Sequence, residues 1–133
     1  MQSGVPKGSV LGPLLFVIYI NDLTEVAILD MYLFADDTKL LQEVNNVQDA
    51  IQLQQDINAM ENWCKDWLLK FHPGKCHVLT LGKLQNIQHA HPYAIGDSIL
   101  EHVTEEKDLG VTIDCDLTFE EHCLQKVPTQ CSA

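Results

Sequence analysis

Apolar and polar residues follow a clear helical pattern in the middle of this chain. Between positions 46 and 70, apolar side chains recur every three or four residues, which places them on one face of a helix. The pattern predicts a helix over 46–70 with Asn45 or Asn46 as its N-cap, ended by the His-Pro-Gly segment at 72–74. Its apolar positions are Ala50, Leu53, Ile57, Met60, Cys64, Trp67 and Phe71.

Two other patterns precede this helix. Residues 9–23 are apolar nearly all round, and Pro13 falls where a first helical turn tolerates it, so the pattern predicts a buried helix. Residues 31–43 hold two apolar runs on either side of Asp36 and Asp37. This arrangement predicts a hairpin with both carboxylates at its tip.

Short β-rich runs dominate the rest of the chain. They predict strands at 76–81, 93–95, 99–103 and 109–113, with a hairpin turn at Gly96-Asp97. Thr118 and Glu121 have the spacing of a capping box before a short helix, and residues 128–133 are typical of a frayed end. The predicted class is therefore α+β, an antiparallel sheet with helices packed on one face.

Length and charge narrow the class of protein. At 133 residues the chain fits one domain, and 46% hydrophobic content is ordinary for a packed protein. Its eight lysines, absence of arginine and 19 acidic residues give a net charge of −11. Because phosphate backbones are held by clustered Lys and Arg, weak or no nucleic-acid binding is expected from the chain alone.

Cysteine and histidine could indicate zinc, but their spacing does not favour it. The five cysteines are an odd number and lack the C-x₂-C spacing of common zinc sites, which favours free thiols in a reducing, intracellular compartment. A site around Cys64, His72 and Cys76 stays an alternative. The apolar run 10–20 lacks a convincing signal-peptide cleavage site and is shorter than the about 20 residues that span a bilayer.

Adjacent carboxylates at a hairpin tip are suited to divalent cations. Mg²⁺ prefers oxygen ligands and keeps open positions for substrate phosphates. Two-metal phosphoryl transfer needs at least one further acidic ligand besides Asp36 and Asp37. An Asp-Asp pair is also common in solvated turns, so the pair alone does not distinguish the two interpretations.

The sequence around this pair resembles the reverse transcriptases of non-LTR, LINE-type retrotransposons. Residues 34–40 are similar to that family's motif C, and residues 3–13 to its motif B. Residues 63–82 resemble the helix and strand that follow in the palm, and residues 106–111 a downstream segment. The motif C block is Phe34-Ala35-Asp36-Asp37-Thr38-Lys39-Leu40, and the motif B block runs Ser3-Gly4-Val5-Pro6-Lys7-Gly8-Ser9-Val10-Leu11-Gly12-Pro13.

The resemblance implies roles for individual residues. Asp36 would be the metal ligand of motif C and Asp37 its partner, with Mg²⁺ as the cation and Mn²⁺ as an alternative. Phe34 and Ala35 would end the strand that positions both carboxylates under the primer terminus. The partners implied for the intact family are an RNA template, a DNA primer and dNTP.

Motif B would shape the template and nucleotide pocket. The resemblance assigns that role to Ser3, Gly4, Pro6, Lys7 and Gly8. The family usually has Gln where this chain has Lys7, so an amide's hydrogen bonding is replaced by a cation's.

The resemblance also implies what the chain lacks. It begins at motif B, so we expect a partial palm over 1–117 without fingers or the motif A strand, followed by a start of the thumb at 118–133. Motif A would supply the third catalytic carboxylate. Asp22 and Asp30 are better explained as cap and turn residues. We therefore predict that the chain alone does not polymerise.

A non-catalytic interpretation stays open beside this one. A hairpin without the motif A strand would present an unpaired sheet edge, which favours self-association or pairing with another strand. The chain would then be a retroelement remnant or a protein-interaction module.

Overall fold

The computed structural model describes residues 8–82, 91–120 and 123, which form two compact units divided between Phe71 and His72. The described elements are two α-helices and eight short strands, so the α+β class is confirmed. None of the described helices is both long and apolar enough to cross a membrane.

The first unit opens with helix α1, Leu11–Ile20, which continues into a 3₁₀ turn at Asn21–Glu25. The Ser9 hydroxyl accepts the N–H of Gly12 at 3.0 Å, which satisfies one donor of the first turn. Within α1 only Ile20 is buried, whereas Ile18 is 63% exposed. The prediction of a buried helix is wrong within the described residues. A sequence that is apolar all round favours burial, but it does not provide the residues that would pack against the helix.

Strands β1, Asp30–Phe34, and β2, Asp37–Leu41, form the predicted antiparallel hairpin. Successive side chains alternate between its two faces. Met31, Leu33 and Leu40 face inward and pack on a core of buried residues, while the other face is exposed. That core consists of Ile20, Leu23, Met60, Trp63 and Cys64.

Helix α2, Val47–Asp66, begins where the sequence predicts and ends earlier. Asn46 is the N-cap: its side chain accepts the N–H of Asp49 at 3.0 Å, and the Asp49 carboxylate accepts the N–H of Asn46 at 3.3 Å. At the other end Leu68 has a φ of 58°. The helix therefore stops at Leu68 rather than at the His-Pro-Gly segment, which instead forms a 3₁₀ turn at Pro73–Lys75.

Aromatic side chains join the carboxyl ends of the two helices. The rings of Trp63 and Trp67 stack with centroids 5.7 Å apart, and Tyr19 meets Trp67 edge-on at 5.3 Å. The Tyr19 hydroxyl also donates a hydrogen bond to the Trp67 carbonyl. This cluster links α1 to α2.

The described residues of the second unit form six short strands. They are β3 His77–Leu79, β4 Ala94–Ile95, β5 Ser98–Ile99, β6 Glu101–Val103, β7 Glu105–Asp108 and β8 Val111–Asp114. Tyr93, Leu100 and Thr112 are buried, and the centroid of the Tyr93 ring lies 5.3 Å from that of His91 and 6.1 Å from that of His102.

The described strands form four separate two-stranded sheets rather than the single antiparallel sheet predicted, and β3 pairs with β6 in parallel. The other three pairs are hairpins closed by two-residue loops, so each of these strands pairs with its neighbour in sequence. Leu109, predicted to lie in a strand, is in the loop between β7 and β8 with a φ of 48°.

Candidate functional site

The hairpin loop places the two adjacent carboxylates at the tip of β1 and β2. Phe34 and Asp37 are opposite each other, so Ala35 and Asp36 alone form the loop. Ala35, the first residue of the loop, has a φ of 52°, the positive sign that the turns of two-residue hairpins require at this position. Glycine or asparagine normally occupies such a position, so the tip holds a strained alanine next to its acidic pair.

The two carboxylates have different positions on this hairpin. Asp36 lies in the loop, whereas Asp37 begins β2 on the outer face, beside its cross-strand partner Phe34. Both are exposed, and so are Phe34 and Tyr32, at 58% and 55%. The outer face therefore combines a carboxylate with two aromatic rings open to solvent.

A buried carboxylate on α2 holds the chain that leads into this hairpin. Asp56 is 3% exposed, and its Oδ2 accepts the N–H groups of Ile28 and Leu29 at 2.9 and 2.8 Å. Its Oδ1 accepts the side-chain amide of Gln52 at 3.2 Å. Three hydrogen bonds of this kind compensate the cost of burying a charge.

Asp56 is not among the residues that the sequence patterns single out. A polar residue on a long helix is usually solvated, and its partners lie 27 and 28 positions earlier in the chain. One feature could have revealed it, because Asp56 lies seven residues, about two turns, before the buried Trp63 and shares its helix face.

No third ligand stands beside Asp36 and Asp37 in the part of the chain that the structure describes. Within those residues no group of three or more His, Cys, Asp or Glu side chains is placed to hold a metal ion. Asp30 opens β1 at the end of the hairpin away from the loop, and Asp22 lies in the 3₁₀ turn.

The motif B block is described only from Gly8 onward. Ser3, Gly4, Pro6 and Lys7 lie outside the described residues. Gly8 has a φ of 79°, a conformation that side chains rarely adopt.

The thiols of the alternative zinc interpretation are partly or fully shielded from water. Burial raises the pKa of Cys64 and likewise the pKa of Cys76, which favours the protonated thiol over the thiolate that binds metal. The Cys76 thiol donates to the carbonyl of His72 at 3.4 Å.

Comparison with known proteins gives consistent matches. The family described as reverse transcriptase (RNA-dependent DNA polymerase) matches residues 1–113. The chain is 36% identical over 135 residues to a probable RNA-directed DNA polymerase from transposon BS of Drosophila melanogaster. It is 33% identical over 132 residues to the RNA-directed DNA polymerase from mobile element jockey of Drosophila funebris.

These matches cover 92% of this chain and 14% of each relative, so the chain spans about one seventh of their length. No solved structure matches. The resemblance to retrotransposon enzymes noted in the sequence is confirmed.

Proposed function

The chain belongs to the reverse transcriptase (RNA-dependent DNA polymerase) family, and from this we propose that residues 34–40 are its motif C. Asp36 and Asp37 would then bind the divalent metal ions of RNA-templated DNA synthesis. The observation that carries the proposal is the two-residue loop, because it places both carboxylates at the tip of the hairpin. The inner face of this hairpin packs against the core.

The donor set fits a divalent cation. Two adjacent, exposed carboxylates offer hard oxygen ligands, and Mg²⁺ is commonly held by one or two carboxylates together with water and substrate phosphates. We propose Mg²⁺ as the physiological ion, with Mn²⁺ as a substitute. When bound, such ions stabilise the attacking and leaving oxygens of phosphoryl transfer.

The surrounding residues would position nucleic acid. In this proposal Phe34 and Ala35 hold the carboxylates below the primer terminus, and the exposed Phe34 ring lies next to Asp37. The motif B residues from Ser3 to Gly8 would line the pocket for template and nucleotide. The partners would be an RNA template, a DNA primer and dNTP.

We further propose that residues 1–117 form part of a polymerase palm and that the thumb begins within 118–133. Glu120 and Cys123 are helical, and the N–H of Cys123 donates to the Phe119 carbonyl at 3.0 Å. The second member of the predicted capping box, Glu121, and the tail at 128–133 lie outside the described residues.

These 133 residues alone would not polymerise. The described part of the chain brings no third carboxylate to the Asp36–Asp37 pair, and the net charge of −11 without arginine opposes phosphate binding. The polymerase reaction would require residues beyond these.

A second candidate function follows from the hairpin edges. In the described residues β1 and β2 pair only with each other, so each leaves its outer edge unpaired, next to exposed Tyr32 and Phe34. Such an edge can accept a strand from a second copy or from another protein. A stoichiometric complex that is indifferent to Asp36→Asn and to Mg²⁺ would favour this candidate.

Manganese titration followed by NMR tests the metal proposal directly. Mn²⁺ should broaden the amide signals of Asp36, Asp37 and Thr38 first, and excess Mg²⁺ should restore them. The Asp36→Asn, Asp37→Asn variant should abolish the effect.

A control variant removes two other charges from the same unit. Asp22→Asn, Glu25→Gln changes two exposed acids and should leave the broadening at the hairpin intact. Broadening spread evenly over all acidic residues, or unchanged in the Asp36, Asp37 variant, would refute a metal site at the loop.

A further inference from the structure

Two aspartates of α2 hold the two ends of the hairpin. Asp56 accepts the N–H groups of Ile28 and Leu29, just before β1 begins. Asp49 accepts the N–H groups of Asn45 and Asn46, just after β2 ends, at 2.9 and 3.3 Å. The two carboxylates are seven residues apart, which is two turns or about 10 Å along the helix.

The hydrophobic pattern alone does not fix how β1 pairs with β2. In the observed register Leu33 faces Thr38 and Met31 faces Leu40. Sliding β2 by two residues along β1 would pair Leu33 with Leu40 and leave residues 35–38 as a four-residue loop. Because β2 then shifts by two residues, every side chain stays on its own face and the apolar face is preserved.

Loop conformation favours the alternative register. The observed loop places Ala35 at a φ of 52°, where alanine is strained. In the shifted register Ala35 is no longer the first residue of a two-residue loop, so it does not need a positive φ. Other contacts must therefore hold the observed register.

The distance between the two aspartates opposes the shift. A two-residue shift moves β2 along β1 by roughly 6 to 7 Å. Only residues 42–44 separate β2 from the backbone held by Asp49, and Val44 among them is buried. With the entry of β1 held by Asp56, the shift would break the hydrogen bonds at one of the two ends.

From this geometry we infer that Asp49 and Asp56 are positioning residues that set the register of the hairpin. The register decides whether Asp37 lies on the outer face beside Phe34 or moves into the loop beside Asp36. The inference rests on the proposed function, since it concerns the placement of the proposed metal ligands. Neither aspartate is expected to touch metal or substrate.

Interstrand contacts measured by NMR on the full chain test this inference. The observed register predicts a backbone Hα–Hα contact between Leu33 and Thr38, whereas the shifted register predicts one between Leu33 and Leu40. Asp56→Ala should lose the first contact and gain the second. Asp56→Asn, which keeps an acceptor oxygen, should retain the native contact.

A second substitution separates register from general stability. Ala35→Gly removes the strain of the loop, so adding it to Asp56→Ala should restore the Leu33–Thr38 contact. Asp66→Ala removes an exposed carboxylate from the same helix and should change nothing. An Asp56→Ala variant that keeps only the native contact would overturn the inference.

If Asp56→Ala does not fold, hydrogen exchange on the unmodified chain tests whether Asp56 holds the backbone before β1. The amides of Ile28 and Leu29 should be as strongly protected as those of Met60 and Trp63 in α2. Rapid exchange at both would overturn the inference. Absence of Mn²⁺ broadening in the unmodified chain would refute the metal proposal and leave the register result standing.

Discussion

Single residues at the ends of elements determine where those elements stop. Leu68 occupies the left-handed position just after α2, and the hydrogen bonds around it complete a Schellman motif. The N–H of Leu68 donates to the carbonyl of Lys65 at 3.2 Å, and the N–H of Leu69 to that of Cys64 at 2.8 Å. The Leu68 side chain is 91% exposed, so its packing does not compensate the strain of the left-handed conformation.

Leu68→Gly should therefore stabilise the first unit, by about 1 kcal/mol, because glycine adopts a positive φ without strain. The measurement is the midpoint of urea unfolding followed by far-UV circular dichroism. Lys70→Gly, also at an exposed position but without a positive φ, should lower the midpoint or leave it unchanged. Equal effects of the two substitutions would contradict the explanation.

The carboxylate of Asp114 is a second single residue that fixes the backbone at the end of an element. A hydrogen bond from the backbone N–H of Thr118 holds the pKa of Asp114 below its ordinary value of 3.8, partly opposed by desolvation. The backbone N–H groups of Phe119 and Asp116 and the Thr118 hydroxyl lower that pKa further. Because the folded pKa is lowered, the ionised carboxylate stabilises this turn at neutral pH.

The turn around Asp114 should therefore loosen on acidification. Its stabilisation is fully present above the ordinary pKa of aspartate, about 4, and is lost as the pH falls through the lowered folded pKa. Amide chemical shifts of Thr118 and Phe119 between neutral pH and about pH 2 report the change. In Asp114→Asn this titration should vanish, and its persistence would assign it to another group.

At the scale of the element, α2 depends on its first turn. The side chain of Asn46 and the N–H of Asp49 form one half of a capping box, which satisfies a donor that has no partner within the helix.

Asn46→Ala should lower the free energy of unfolding of the first unit by about 1 kcal/mol, whereas Asn46→Asp should be close to neutral. Thermal or urea unfolding measures the difference. Gln48→Ala, at an exposed position two residues later, provides the comparison and should have little effect.

Local patterns explain which elements could be predicted. The hairpin and the start of α2 follow from short-range features, namely Asp36-Asp37 between two apolar runs and an Asn N-cap. The end of α2 depends on a leucine in a conformation that leucine rarely adopts, so no ordinary stop residue marks it. The helix face of Asp56 could be predicted from its spacing to Trp63, but its role could not, because the backbone groups that it binds come from a distant part of the chain.

The whole molecule consists of two units that differ in how they are held together. The first has a core shared by both helices and the hairpin, whereas the second is a set of short strand pairs with few buried side chains. The proposed metal ligands lie entirely within the first unit.

Primer extension by the purified 133-residue chain tests the activity proposed for it. We expect no incorporation of dNTP on an RNA template with either Mg²⁺ or Mn²⁺, because the pair has no third carboxylate beside it in the described residues and the chain has no arginine to stabilise the transition state. Metal-dependent extension that disappears in Asp36→Asn, Asp37→Asn would refute the prediction of inactivity. A longer polypeptide that supplies the remaining ligands should be active.

The aromatic cluster at the ends of α1 and α2 gives the first unit its own optical reporter. Both tryptophans of the chain, Trp63 and Trp67, belong to that cluster, and the second unit contains none. Intrinsic tryptophan fluorescence therefore follows only the unit that contains the proposed metal ligands. The second unit, whose one tyrosine is Tyr93, contributes nothing to the emission when tryptophan alone is excited.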